Sequence, residues 1–373
     1  FFGAEAGQGG TTSAPFSSGE NNTAIGYKAL TAFTTGHSNV GVGMESLRVV
    51  TSGYHNTALG IYAGYDLAGG VQNTLVGSSA GENLTNGNNN VIIGYRAGYN
   101  SNQYNSVAIG YRALYYNSAN DNTAVGYNAG FAITSGQYNT IIGNSAGDAI
   151  QDGDSSTIIG YQAGTALTPT GEQGSTLIGK QAGKALTTGP NNTAIGRAAL
   201  LTATTANSCI AIGDQAAQYL AASTGFIGVM AIGGSALGDA TGLDTTANYS
   251  VAIGAAAGNN ASNLAGKFVI IGKSAGNKLN GTDVVHIGYE AGQYASGSYN
   301  TFVGSEAGKG GTTSAPYSSG QESVAIGYQA LSGFTTGGAN VAIGYQAGND
   351  ITTGNNNVFI GKLAGDLLTT GTN

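Results

Sequence analysis

The chain has 373 residues, of which 65 are Gly and 41% are hydrophobic, and its formal net charge is −7. Only 8% of the residues are charged, yet the chain is too apolar for a disordered, solvated coil. The negative charge, without any basic run, disfavours nucleic-acid binding. No apolar stretch approaches the roughly 20 residues that a membrane-spanning helix needs.

One phrase is repeated along the whole chain. The Gly that ends the AIG of NNTAIGYKAL at 21–30 has 21 counterparts including itself, at positions 3, 26, 43, 60, 77, 94, 110, 126, 143, 160, 179, 196, 213, 233, 254, 272, 288, 304, 327, 344 and 361. Ten of the 20 spacings are 17 residues, four are 16, and six run from 18 to 23. A unit that tolerates insertions but keeps its central phrase is typical of a solenoid with loops on one side.

The repeat therefore predicts an all-β fold, a parallel β-solenoid (β-roll) of about 21 coils with a period of about 17 residues. We expect residues 1–373 to form a single continuous domain. The chain begins at Phe1 without an initiator Met. We therefore expect it to be a fragment of a longer fibre, whose coils could also stack head to tail.

Each copy begins with a corner and a strand. The corner residue, Asn22 in the copy quoted above, is Asn in eleven of 20 copies, which favours either a hydrogen-bonded Asn ladder between coils or a simple turn preference. Next come Thr or Val, an apolar residue, and Ile. Because side chains alternate along a strand, we expect Thr23 and Ile25 to face the core of the coil. Ala24 then faces a second surface, which another copy of the chain supplies most simply.

The strand ends in a tight bend. Gly26 is followed three residues later by Ala29, and this position is Ala in 20 of 21 copies, which indicates close backbone approach. The residue directly after the Gly is Tyr in eight copies. This tyrosine stripe either covers the corner with its hydroxyls in water or binds a glycan. The residues assigned to the rungs are Asn22, Ile25, Gly26, Ala29, Ile109, Gly110, Ile195, Gly196, Ile343 and Gly344.

Two long insertions echo each other. FFGAEAGQGGTTSAPFSSGE at 1–20 recurs as FVGSEAGKGGTTSAPYSSGQ at 302–321. They carry Pro15 and Phe16 in the first copy, and Pro316 and Tyr317 in the second. Such a segment is either a tolerated surface loop or a contact loop in which an exposed aromatic side chain meets a receptor or a neighbouring fibre.

The sequence contains little that indicates a catalytic or cofactor-binding site. The sequence has three His and one Cys, with no phosphate-binding Gly loop and no calcium-loop spacing. We expect Cys209 to be a small buried thiol. His286 lies in the column assigned to the partner-facing side, where copies from several chains could bind a metal or an anion. The alternative is a hydrogen-bonded or solvated histidine. We expect no cofactor and no enzymatic activity.

The repeats resemble those of a known group of surface proteins. SVAIG at 106–110, 250–254 and 323–327 resembles the repeats in YadA-like heads of trimeric autotransporter adhesins. NVAIGYQAGNDITTGNNNVFIG at 340–361 is similar to repeats of phage and bacterial tail-fibre-domain proteins. The resemblance implies a left-handed β-roll, a homotrimer, and an extracellular, cell-surface or virion location. It departs from the adhesin heads in its longer period.

The leading functional hypothesis is the non-enzymatic structural shaft of a homo-oligomeric, adhesive fibre. A second is an adhesin that binds a host or cell-surface glycan or receptor through its loops or its tyrosine stripe. A third is an ice-binding solenoid, which is disfavoured if the Thr column points inward.

Overall fold

The computed structural model describes residues 1–10, 17–168, 170–172, 174–220, 227–240, 248–262, 266–314 and 317–371, with the side chains of 170–172 left aside. Contacts divide the chain into two compact units, Phe1–Gln181 and Ala182–Asn373. Each unit repeats the same coil. The single continuous domain over 1–373 stays a prediction.

The described residues form short strands joined by turns, without a helix, and hence without one that could cross a membrane. The first unit contains β1 Thr23–Ile25, β2 Val40–Val42, β3 Thr57–Leu59, β4 Thr74–Val76, β5 Val91–Ile93, β6 Val107–Ile109, β7 Thr123–Val125, β8 Thr140–Ile142, β9 Asp152–Asp154, β10 Thr157–Ile159, β11 Thr170–Glu172 and β12 Thr176–Ile178. The second unit contains β13 Thr193–Ile195, β14 Ile210–Ile212, β15 Met230–Ile232, β16 Val251–Ile253, β17 Phe268–Ile271, β18 Val284–Ile287, β19 Thr301–Val303, β20 Val324–Ile326, β21 Val341–Ile343 and β22 Val358–Ile360.

Within each unit these strands stack in parallel and in register, one per repeat. Thr23 pairs with Val40 and Ile25 with Val42, so each column of the sequence repeat is a physical column of side chains. Counted over both units, 20 strands belong to these parallel stacks, which amount to about 19 turns of β-solenoid. The predicted all-β parallel solenoid is confirmed, with slightly fewer turns than the predicted 21. Strands β9 and β11 pair separately in a small sheet beside the first unit's main one.

The predicted facing of the strand residues is wrong. Ala24 is fully buried, whereas Ile25 is 43% exposed, and the same inversion recurs along both units. The coil is narrow, so the single residue at the centre of each three-residue strand faces the core, and its two neighbours face outward. The Ala24 column is therefore the inner wall, and it is not available to a partner.

Two positions of the coil, the strand centre and the residue four after the bend Gly, hold at most one large side chain between them. Where Leu stands four residues after the bend Gly, as at Leu30, the strand centre is Ala or Gly in all six copies. Where the strand centre is large, as at Phe302, that later position is Gly in all ten copies. A Cβ on Gly308 would overlap the ring of Phe302. In the other five copies both positions are small. The two positions thus share one volume and are never both large, as close packing requires.

The bend explains two further columns. Gly26 has φ 129°, and a Cβ there would lie 2.5 Å from the carbonyl oxygen of Gly43 in the next coil, so only Gly fits. Lys28, two residues later, is left-handed with φ 56°. Ala29 is fully buried inside the bend, which accounts for the nearly invariant small residue.

The corner Asn residues form a hydrogen-bonded ladder. The backbone N–H and the side-chain Nδ2 of Asn56 both donate to Oδ1 of Asn39 at 3.0 Å. Nδ2 of Asn56 also donates at 2.7 Å to the carbonyl of Gly70, 14 residues further on, where the coil returns to the corner. Asn73 repeats both contacts one coil further on. Each amide therefore ties adjacent coils together and closes its own coil, which a simple turn preference does not require.

Candidate interaction surfaces

The outer face of the solenoid carries two columns, one mainly of Thr or Val and one of Ile, Val or Leu. Thr57 and Leu59 flank the buried Ala58 in β3 and are both exposed, Leu59 by 49%. In the second unit Ile326 is 40% exposed at the end of β20. Because the strands stack in register, each unit presents a two-column face of Thr or Val beside Ile. This outer face, rather than the Ala24 column, is open to a second surface.

The predicted rung residues occupy three places in the coil. Asn22 precedes β1 at the corner, and Ala29 is buried in the bend. The remaining ones are the outward residues that end β1, β6, β13 and β21, and the glycines that follow them: Ile25, Gly26, Ile109, Gly110, Ile195, Gly196, Ile343 and Gly344.

The tyrosine stripe lies on the bend, beside the outer face. Tyr95, Tyr111 and Tyr127 are exposed and stack in successive coils, with ring centroids 5.4 Å and 4.9 Å apart. Tyr328 and Tyr345 stack in the second unit at 5.3 Å. The rings are therefore held by one another rather than free in solvent.

A second aromatic row runs beside the first in three coils of the first unit, and sequence reasoning missed it. Tyr99, Tyr115 and Phe131 stack at 5.1 Å and 5.2 Å. The guanidinium groups of Arg96 and Arg112 lie between the two rows. The recurrence of an aromatic residue five positions after Gly94, Gly110 and Gly126 was the available signal.

The structure describes only part of each of the two insertions. Pro15, Phe16 and Pro316 lie outside the described residues. Tyr317 is half-buried and stacks on Tyr294 at 6.2 Å. It also lines a cavity of about 450 Å³ whose other walls are mainly hydroxyl-bearing side chains. The aromatic side chain of this loop is therefore packed against the coil and is not freely projecting.

His286 lies inside the coil, not on a partner-facing surface. The residue is fully buried at the centre of β18, and its ring stacks on Phe302 with centroids 4.9 Å apart. Neither ring nitrogen has a hydrogen-bond partner. Burial lowers the pKa of His286 to about 3, which keeps the imidazole neutral. The expected position for metal or anion binding between chains is therefore wrong.

Other reactive side chains do not assemble into a centre. Among the described residues, no three His, Cys, Asp or Glu side chains come close enough to hold a metal ion. Cys209 is buried, as predicted, and burial raises the pKa of its thiol. Its backbone N–H donates to Oδ1 of Asn192 at 3.0 Å, so Cys209 takes a corner position in the ladder.

Comparison with known proteins assigns no family to the chain, so the surfaces described above are the evidence on function. No known family model and no curated protein matches the chain.

Proposed function

We propose that the chain is a non-enzymatic segment of a fibre shaft, extracellular or borne on a virion, whose copies associate through the outer face. One observation carries this proposal: the outer side of the strands includes a column made only of Ile, Val, Leu or Phe, and only the inner side has a core to cover it. Large contiguous apolar surfaces on soluble proteins usually mark an interface. Association of identical faces about a symmetry axis covers all of them at once. The resemblance to trimeric adhesin heads favours three copies.

Sedimentation of the wild-type protein and of an outer-face variant tests the proposal. We expect the wild type to have three times the 36.9 kDa mass of one chain. Leu59→Glu combined with Ile326→Glu places a charge on the outer face of each unit, where both side chains are exposed in one chain. Burying these charges between copies is costly, so the variant should sediment as one chain with unchanged far-UV circular dichroism.

Tyr161→Glu is the matched control, because Tyr161 is exposed to a similar degree but lies on the bend. It should leave the oligomeric mass unchanged. A wild-type protein that sediments as a single chain at every concentration contradicts the proposal.

Ice binding remains a second candidate, because the reason for disfavouring it is overturned. The Thr residues of the strands point outward, as Thr57 does. Seven of the nine Thr in this column lie in the first unit and two in the second. The Ile column beside them lacks hydroxyls. We therefore expect no thermal hysteresis, and a measured hysteresis that Thr140→Lys removes would favour ice binding over self-association.

Adhesion through the bend is a third candidate, and the ordered stack of Tyr95, Tyr111 and Tyr127 favours it over adhesion through the loops. If the shaft is itself adhesive, we expect attachment to cells to survive deletion of the two TTSAP segments. Substitution of these tyrosines should abolish it.

A further inference from the structure

The two aromatic rows and the arginines between them form one continuous feature, the arginine–tyrosine strip: Tyr95, Arg96, Tyr99, Tyr111, Arg112, Tyr115 and Tyr127. Arg96 lies 5.3 Å from the ring of Tyr95 and 5.1 Å from that of Tyr99. Arg112 repeats this one coil later, at 5.2 Å from Tyr111 and 5.5 Å from Tyr115. Two cations are thus held in line along the solenoid, between rows of rings.

The strip arginines differ from the other arginines in their charge partners. The sequence has four Arg. Arg48 pairs with Glu45 at 3.1 Å, and Arg197 pairs with Asp214 at 2.7 Å. Over the described ranges, neither Arg96 nor Arg112 forms a salt bridge, and the Nε of each is buried without a hydrogen-bond partner. Two unpaired guanidinium groups, always charged, stand one coil apart on a chain of net charge −7.

A carboxylate beside the strip is already engaged. The Tyr99 hydroxyl donates to Glu82 at 3.5 Å, and burial raises the pKa of that hydroxyl. Glu82 thus pairs with a tyrosine rather than with an arginine. The strip therefore lacks an anion, and a ligand that brings one gains charge-assisted hydrogen bonds.

The stacking decides which class of anion fits. Neighbouring rings are nearly parallel, with interplanar angles of 21°, 5° and 15°. Their faces are covered by one another, so the strip presents ring edges and hydroxyls to the solvent. Binding of single-stranded nucleic acid by base stacking needs open ring faces. A ligand for the strip needs acidic groups and hydroxyls repeated along a line, because each coil adds a ring and a cation about 4.8 Å further on.

We propose that the arginine–tyrosine strip binds an acidic polysaccharide laid along the solenoid axis, with its acidic groups on Arg96 and Arg112 and its hydroxyls hydrogen-bonded to the tyrosine hydroxyls. This inference makes a surface of the first unit a ligand site, and it goes beyond a structural role in the shaft. It does not depend on the oligomeric state, because the strip lies on the bend and the proposed association uses the outer face.

The test measures binding of the intact protein to matched pairs of polymers. The acidic probes are polygalacturonate and dextran sulfate, and their neutral counterparts are fully methyl-esterified polygalacturonate and dextran. We expect binding to at least one acidic probe, weakened by salt because the contacts are at the surface, and no binding to either neutral polymer. Polyglutamate and single-stranded DNA test for an acidic peptide or a nucleic acid, and equal binding of either would overturn the proposal.

Variants then locate the site. Arg96→Gln with Arg112→Gln should weaken binding by about tenfold or more. Arg197→Gln is the matched control, since its partner is Asp214, and it should bind as the wild type does. Replacing Tyr95, Tyr111 and Tyr127 by Phe removes hydroxyls but keeps the stacked rings, and it should also weaken binding. The oligomeric mass should be unchanged in all of them. Failure of both acidic probes to bind, or unchanged binding in the Arg and the Phe variants, refutes the assignment.

Discussion

Acidification should weaken the coil that contains His286, and the size of the effect follows from its burial. The pKa of this imidazole is about 3 in the folded chain, against an ordinary value of 6.5. The folded state keeps it neutral, while the unfolded state takes up a proton below pH 6.5. Its stabilising contribution is therefore fully present above pH 6.5 and is lost as the pH falls toward 3. At about 1.36 kcal/mol per pKa unit, the loss is about 2 kcal/mol at pH 5 and about 5 kcal/mol at pH 3.

His286→Phe isolates this effect. The fold already accommodates Phe302 in the same column of the next coil, with Gly at the position that faces its ring. His286 likewise faces Gly292, so the coil has room for a phenyl ring in place of the imidazole. The variant also removes a buried N–H without a partner, which should stabilise the coil by about 1–3 kcal/mol at pH 7.5.

The assay is urea unfolding of wild type and His286→Phe at pH 7.5 and pH 5. A stack of coils can unfold in parts, so the quantity compared is the difference between the two proteins at each pH. Taking this difference also cancels the pH-dependent contributions of Asp66 and Asp148, because both proteins contain them. Burial raises the pKa values of these two carboxyl groups. Their unfavourable contribution is relieved as pH falls, opposite in sign to that of His286. We expect the variant's advantage to grow by about 2 kcal/mol between pH 7.5 and pH 5. An unchanged difference refutes the reasoning.

Three further predictions concern the coil itself, each measured by urea unfolding. Gly308→Ala should cost about 1–3 kcal/mol by overpacking and about 1 kcal/mol more at its positive φ, while Gly234→Ala, with open space around it, should be nearly neutral. Asn56→Ala should cost about 3 kcal/mol because it removes ladder bonds in the core, and Asn56→Ser, which keeps an acceptor, should cost less. Ala108→Leu and Leu114→Gly should each destabilise the protein, yet together restore much of the loss, with a coupling energy above about 1 kcal/mol; additive effects would contradict the shared core volume.

The solenoid could be predicted from the sequence because its period is explicit, but the facing of the strand could not. Ala24 and Ile25 are both apolar, so alternation alone leaves two equivalent solutions. The decisive signal lies six residues apart: Ala24 is matched by Leu30, whereas Phe302 is matched by Gly308. Only residues that share a core volume compensate in this way, and this pairing identifies the centre of the strand as the inner position.

Most surface features were less predictable. The stripe from Tyr95 to Tyr127 follows from its column, but Arg96 and Arg112 occupy a column of mixed composition, and their lack of a carboxylate partner depends on neighbours in other coils. The burial of His286 was missed for the same reason as the facing of Ala24. The Asn ladder was left open at the sequence level because turn preference and stacking both favour Asn at a corner.

The strongest argument for association through the outer face comes from comparing two exposed columns within the chain. The column directly after the bend Gly holds Tyr, Ser, Asn, Lys, Arg, Asp, Ala, Gly, Met and Ile in different copies, as an exposed position normally does. The column directly before it is partly open to solvent in one chain, and Ile326 is about as exposed as Tyr328, yet the column contains only Ile, Val, Leu or Phe in all 21 copies. Strand propensity favours β-branched residues, but it equally favours Tyr and Thr, which this column lacks. The column before the bend Gly faces away from the core of its own coil, yet it excludes every polar residue. Contact with a second apolar surface explains this exclusion best.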